Sequence, residues 1–162
     1  MFKTLLLSMM LSLTLVAQSF NFTELRYSDA IGKTIELKGQ ISFLKNGLEI
    51  FYPKTQRALI YEDEELVYEV EGEDVELGMV QSQQIIHYFE VLILLHSGDE
   101  SALKEMFDVD KNNGFIKLTP KASLKNYIQK IELLKTNEIL EYVKLFMQNN
   151  DTIMITIDDE IR

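Results

Sequence analysis

An alternation of apolar and polar residues constrains the fold of this chain more than any other feature of its sequence. Between Ile35 and Phe43, the apolar residues Ile35, Leu37, Ile41 and Phe43 alternate with the polar residues Glu36, Lys38, Gln40 and Ser42. A period of two is typical of a β-strand that buries one face. The same patterning, bounded by turn residues, predicts further strands at residues 48–52, 57–61, 66–70, 115–118, 126–134, 139–147 and 153–157.

Helical periodicity replaces this alternation once, between residues 82 and 96. Apolar residues cover almost the whole circumference of this predicted helix, which requires that it be enclosed on most sides or cover an apolar space. Gly98 is a plausible C′ residue, and a second short helix is predicted over residues 99–107. Residues 20–31 are expected to form a short helix or a loose lead-in, and residues 108–114 a polar connection. The layout predicts an α+β, mainly β fold, with helices on one face of an antiparallel sheet.

Turn chemistry supports the hairpins on either side of the predicted helices. Asn46-Gly47 separates two predicted strands and favours positive φ at a tight turn. Only two prolines and seven glycines occur in the sequence, and neither a linker nor an internal repeat is visible. A single domain over residues 20–162 is therefore expected.

The first nineteen residues have the composition of a secretory signal peptide. Lys3 supplies positive charge, and the apolar run Leu5 to Val16 is shorter than the roughly 20 residues that span a bilayer. Small residues at Ala17 and Ser19 fit the positions that a signal peptidase reads, which predicts cleavage after Ser19. An uncleaved anchor or a buried helix is the alternative. A cleaved peptide would export the protein to the periplasm of a Gram-negative bacterium.

Charge and cysteine content limit the partners of the exported domain. The formal net charge is −10 and there is no cysteine, so neither disulfides nor acylation of a lipobox thiol is available to it. Such an acidic chain is a poor candidate for binding nucleic acid, and anionic membrane surfaces should repel it. The acidic stretch over residues 62–76 lies mostly on alternate strand positions, which favours a solvated face over a calcium site.

No catalytic motif is apparent. His87 and His96 are nine residues apart on the predicted helix, which is not a metal-ligand spacing, and they are expected to be partly buried. The sequence contains no phosphate loop, no nucleophile elbow and no zinc-protease motif. We therefore expect no enzyme activity, no metal and no cofactor, although a hydrolase that uses an unrecognised carboxylate pair is an open alternative.

Two interpretations of the apolar helix remain open from periodicity alone. It either fills an ordinary core, or it covers an apolar cavity enclosed by a curved sheet. In the second case, the cavity would be lined by residues on the more apolar side of each strand and by residues of the helix. The candidates from the strands are Phe43, Ile50, Tyr68, Ile116, Ile131 and Leu133, and those from the helix are Val91, Leu94 and Leu95.

Several segments resemble the LolA-type periplasmic carriers of outer-membrane lipoproteins. The glycine-initiated strand at residues 39–43, with Pro53 beyond it, and the segments 58–61 and 66–69 resemble the opening hairpins of that family. The segment Gly-Phe-Ile-Lys-Leu-Thr-Pro-Lys at residues 114–121 is similar to its second-half strand and loop, and residues 128–133 to the strand that follows. The resemblance extends over residues 37–157, but the tryptophans of the family are absent from this chain.

The resemblance implies a curved antiparallel half-barrel sheet with a helical lid on its concave face. It implies a periplasmic chaperone that sequesters the acyl chains of lipoproteins between the inner and outer membranes. The implied partners are acylated lipoproteins, the inner-membrane lipoprotein-releasing ABC transporter and an outer-membrane acceptor, and the carrier would be a monomer. Lys45 stands where the family has an arginine that contacts the lid. The alternative is an exported interaction or assembly protein whose related β-rich fold has a filled core.

Overall fold

A computed structural model describes residues 18–136 and 139–161 and shows a mainly β protein. The signal-peptide prediction lies mostly outside the described residues. The strands are β1 (Gln18–Ser28), β2 (Lys33–Leu44), β3 (Gly47–Tyr52), β4 (Arg57–Glu62), β5 (Glu65–Val70), β6 (Glu73–Asp74), β7 (Phe107–Asn112), β8 (Phe115–Pro120), β9 (Ile128–Thr136), β10 (Ile139–Met147) and β11 (Thr152–Ile161). The helices are α1 (Met79–Ser97) and α2 (Glu100–Met106), and short 3₁₀ turns lie at Pro53–Thr55 and Ala122–Asn126.

All eleven strands form one antiparallel sheet in the order β6-β5-β4-β3-β2-β1-β11-β10-β9-β8-β7. Strands adjacent in sequence pair with each other, except β6 and β7, and β1 joins the two halves of the sheet by pairing with both β2 and β11. The two helices connect β6 to β7, the opposite edges of the sheet. The predicted antiparallel sheet with a helical insertion is thus confirmed. The sheet is open and is not strongly curled, so the strong curvature of the expected half-barrel is not seen.

Helix α1 packs against one face of the sheet, here called the inner face. Phe89 and Val91 are fully buried in the same apolar cluster as strand residues from both halves of the sheet. The Phe89 ring lies edge-on to Tyr61 of β4, with ring centroids 6.4 Å apart. Gly98 ends the helix with φ of 68°, in the left-handed conformation that a C′ glycine permits. Because α1 buries residues over both halves of the sheet, it is a structural element of the core as well as a connection.

Two predictions about individual segments are wrong. Residues 20–31 were expected to be helical or loose, yet β1 (Gln18–Ser28) lies at the centre of the sheet. Its inner face carries Phe20 and Phe22 but then Glu24 and Arg26, so charged residues stand where apolar ones would signal a buried strand. Residues 108–114 were expected to be a connection, but most of them belong to β7, an edge strand with a largely exposed polar sequence.

The β2–β3 hairpin forms as predicted, but its glycine, Gly47, is needed for a reason other than the turn geometry. The two-residue turn is Lys45-Asn46, and Gly47 is already the first residue of β3. Asn46 and Gly47 do not adopt positive φ. A Cβ at Gly47 would lie 1.9 Å from the backbone oxygen of Tyr61 on the neighbouring strand. Glycine is needed at this position because two backbones approach closely, not because of the turn geometry.

Candidate ligand-binding site

A cavity of about 550 Å³ lies between the first half of α1 and one end of the sheet. This volume is within the roughly 300–1,000 Å³ of small-molecule sites. Strand ends on both sides of β1 contribute to its wall, because in an antiparallel sheet the end of one strand lies beside the start of the next. The apolar residues that line it are Ile31, Ile35, Leu59, Ile85, Ile128, Leu145, Met147 and Ile153, together with Tyr27, Tyr88 and Tyr127.

Apolar residues at the border of this cavity are exposed to solvent. Ile31 is 67% exposed and Ile35 is 52% exposed, although both line the cavity. Charged side chains of both signs, Lys33 and Asp151, lie among them. An opening that combines exposed apolar side chains with a few polar groups suits an amphipathic ligand better than a fully polar one.

Beneath the cavity lies a buried polar cluster formed by β1 and β3. The carboxylate of Glu24 is fully buried. It accepts a hydrogen bond from Arg26 Nε at 2.6 Å and another from the Tyr52 hydroxyl at 2.5 Å. Arg26 Nη2 also donates to the Tyr52 oxygen at 3.1 Å. Both carboxylate oxygens are therefore satisfied, and the guanidinium balances the buried charge.

Arg26 and Tyr52 of this cluster keep their ordinary protonation states, because the pKa of each is shifted upward. Burial is the largest single influence on the pKa of Arg26 and lowers it, but Glu24, Tyr52 and Tyr88 together raise this pKa by more, so the net shift is upward. Burial and Glu24 together raise the pKa of Tyr52, so its hydroxyl stays a donor. Arg26 lines the cavity, and its side chain is 38% exposed. A guanidinium has five N–H donors, so Arg26 retains donors beyond those used on Glu24 and Tyr52.

Tyr88 of α1 has a buried hydroxyl without a hydrogen-bond partner among the described residues. Tyr88 lines the cavity. Burial and then the nearby Glu24 and Tyr52 raise its pKa well above the usual range, which keeps the hydroxyl neutral. A buried hydroxyl that lacks a partner is uncommon in folded proteins and calls for an explanation.

The two histidines lie at different parts of α1. His87 lines the cavity and lies 3.2 Å from Glu90 Oε2 through its Nδ1, within hydrogen-bonding distance. His96 stacks on the Phe43 ring with centroids 3.6 Å apart. Burial, with a smaller contribution from Lys135, lowers the pKa of His96. Within the described ranges, no group of three or more histidine, aspartate and glutamate side chains is placed to hold a metal ion.

The residues predicted to line a cavity lie on the expected face but away from this cavity. The strand register places all six strand candidates on the inner face. Ile50, Ile131 and Leu133 are buried in the core, and Phe43, Tyr68 and Ile116 are half-buried around it. On α1, Val91 and Leu95 are buried and Leu94 is half-buried, whereas Lys45 is an exposed turn residue. None of these ten residues lines the cavity of about 550 Å³.

One of them, Tyr68, lines a second cavity. This space of about 450 Å³ lies between β5 and the segment that leads into α1, with Val75, Leu77 and Ser82 on its other side. Its wall includes Asp74 and Glu76 and holds no buried charge pair. The first cavity is the stronger candidate because it combines an apolar wall with a built polar cluster.

Sequence reasoning missed Arg26, Tyr88 and the wall around them. The signal that was present is the inner-face series Phe20, Phe22, Glu24 and Arg26, in which alternation continues while polarity reverses. Two charged residues of opposite sign on the buried side of a strand indicate a compensated polar cluster. No local pattern indicates the cavity itself, because its wall comes from distant segments.

Comparison with known proteins adds no family assignment. No protein-family model matches the chain, and no curated protein matches it significantly. None of the helices in the described part of the chain is both long enough and apolar enough to span a membrane.

Proposed function

We propose that this protein is a periplasmic carrier that holds the acyl chains of outer-membrane lipoproteins in the cavity beneath the first half of α1. The observation that carries the proposal is the cavity of about 550 Å³ with an apolar wall and exposed apolar residues at its border. The resemblance to LolA-type carriers supplies the cargo class. In this proposal, α1 acts as the lid.

The energetics of acyl transfer explain why a cavity of this kind would serve as a carrier. Exposing an acyl chain to water costs about 0.8 kcal/mol per methylene. A cavity that removes most of the acyl chain from water makes passage of the lipoprotein through the periplasm feasible. The cavity must not bind the acyl chain much more tightly than a bilayer does, because the cargo would then not be released. An open cavity at one end of the sheet fits this requirement better than a sealed core.

The proposal places the carrier between an inner-membrane releasing ABC transporter and an outer-membrane acceptor, with the protein acting as a monomer. It also requires cleavage of the signal peptide near Ser19. Strand β1 begins at Gln18, and Ser19 Oγ lies 2.8 Å from Ser42 Oγ. Cleavage after Ser19 would therefore remove the first two residues of β1 together with this contact. N-terminal sequencing of protein recovered from the periplasm should give a start at or near Phe20, and a retained Met1 in the inner-membrane fraction would contradict export.

A matched pair of substitutions tests the cavity. Ile35, at the border of the cavity, and Ile161, on β11, are both partly exposed strand residues. Ile35→Glu should lower the affinity for a fluorescent acyl probe by about tenfold or more, because the charge opposes entry of an apolar chain. Ile161→Glu should leave the affinity unchanged. Equal affinities in both variants, or no binding by the parent protein, would contradict the proposal.

The second candidate function is an exported interaction or assembly protein with a filled core. The observation that favours it is the close packing beneath the second half of α1, where Phe89 and Val91 are fully buried. Mass spectrometry of the protein isolated from the periplasm separates the two functions. Co-purifying lipid or lipoprotein supports the carrier, and a protein partner without lipid supports the alternative.

A further inference from the structure

The buried polar cluster lies against the candidate cavity. Binding of an acyl chain alone does not account for this cluster, because an acyl chain makes no hydrogen bonds. Glu24, Arg26 and Tyr52 satisfy one another, and Tyr88 remains without a partner among the described residues. Arg26 and Tyr88 line the cavity from opposite elements, β1 and α1. The donors not yet used therefore belong to residues that line the same cavity.

The charges around the cavity limit what these donors bind. Arg26 is paired with the buried Glu24, and the cavity wall also carries Lys33 and Asp151, which have opposite charges. A ligand carboxylate beside Arg26 would also lie near the Glu24 carboxylate, and like charges at short range repel strongly where water is excluded. A neutral carbonyl oxygen accepts the same hydrogen bonds without this repulsion.

From this arrangement we infer that Arg26 and Tyr88 anchor the ester or amide carbonyl of an acylated ligand, while its acyl chain occupies the apolar part of the cavity. This inference rests on the proposed carrier function and names the polar group that the carrier recognises. Because the Tyr88 hydroxyl is buried, the carbonyl reaches it only when the cavity wall shifts. The hydroxyl then gains the acceptor that it lacks.

Three pyrene-labelled probes of equal chain length test the inference: a fatty acid, its methyl ester and the corresponding alkane. At pH 8, where the fatty acid is ionised, the wild-type protein should bind the ester about tenfold or more tightly than the acid. Tyr88→Phe should weaken binding of the ester by about two- to tenfold, the effect of one neutral hydrogen bond. Binding of the alkane should not change.

Tyr142→Phe is the matched control, because Tyr142 lies on β10, does not line the cavity and is not part of the polar cluster. It should leave the affinities for ester and alkane unchanged. Unchanged ester affinity in Tyr88→Phe, or equal loss of ester and alkane, would overturn the inference while leaving the carrier function intact. Equal affinity of the wild-type protein for acid and ester would overturn the choice of a neutral carbonyl. Failure of the wild-type protein to bind any probe would overturn the carrier function itself.

Discussion

Glu24 is the residue whose environment departs most from the usual rule that carboxylates stay in water. Its carboxylate is fully buried, and within the described residues its hydrogen bonds come from Arg26 and Tyr52. A buried ion pair contributes little net stability, but removing one partner is strongly destabilising because the other charge is left uncompensated. The cluster therefore restrains β1 and β3 relative to each other.

Replacing the charge at position 24 should destabilise the fold. Glu24→Gln keeps the shape of the side chain but leaves Arg26 without its counter-charge, so the free energy of unfolding should fall by about 2–4 kcal/mol. Glu36→Gln, at an exposed position on β2, is the control and should change it by less than about 0.5 kcal/mol. Urea denaturation followed by circular dichroism measures both, and equal midpoints would show that the pair does not matter.

Tyr88→Phe should have the opposite effect on stability. Its hydroxyl is buried without a partner among the described residues, and such a group carries a desolvation cost of about 1–3 kcal/mol. Removing the oxygen should therefore raise the free energy of unfolding by about 1 kcal/mol. A loss of stability would mean that the hydroxyl has an acceptor, and the proposed anchor would lose its main support.

At the scale of elements, the β1–β2 pair shows how one small residue positions the centre of the sheet. Gly39 lies directly opposite Phe22, and a Cβ at Gly39 would lie 2.7 Å from the Phe22 ring and 2.8 Å from the Phe51 backbone oxygen. The aromatic ring thus covers the glycine and buries itself in the core. Close packing of this kind leaves no room for an added methyl group.

Gly39→Ala should therefore lower the free energy of unfolding by about 1–3 kcal/mol. Gly78→Ala is the control, because a Cβ there meets nothing closer than 3.9 Å and the residue has an ordinary φ of −62°. Its effect should stay below about 1 kcal/mol, the typical cost of an alanine at a helix N-cap. Thermal unfolding of both variants provides the comparison, and a Gly39→Ala protein as stable as the Gly78→Ala protein would contradict it.

The elements that sequence predicts well are those in which one periodicity persists. Strand β2 keeps a period of two and the buried residues of α1 keep helical spacing, so the existence and type of both elements follow from the sequence. The strands that it misses break the pattern for physical reasons. Glu24 and Arg26 interrupt the apolar face of β1, and β7 needs few apolar residues because it is an edge strand.

On the scale of the whole molecule, the sheet is antiparallel throughout and the helices connect its two edges. This arrangement brings α1 over strand ends that are far apart in sequence, such as Arg26 of β1, Ile128 of β9 and Ile153 of β11. Periodicity predicts which face of a strand is buried, but not where that face is packed and where it borders a cavity. The cavity therefore became visible only in the assembled fold.

The two halves of α1 should respond differently to loss of side-chain volume. Leu92, in the second half, is buried in the core, whereas Ile85, in the first half, is half-buried and lines the cavity. Leu92→Ala should lower the free energy of unfolding by about 2–5 kcal/mol, because it creates a void in a packed interior. Ile85→Ala loses fewer contacts and should cost only about 1 kcal/mol, since the space around it is already partly empty.

The effects of the two substitutions on the affinity for an acyl probe should follow the reverse order. Ile85→Ala should change the affinity for an acyl probe measurably, while Leu92→Ala should leave it close to that of the parent under conditions where the protein stays folded. Denaturant midpoints and probe titrations on the same samples give both quantities. Large stability losses at both positions, with no probe binding by the parent, would mean that α1 covers a solid core. If instead stability is lost mainly at Leu92 and binding changes mainly at Ile85, the first half of α1 is the lid and the second half is its anchor.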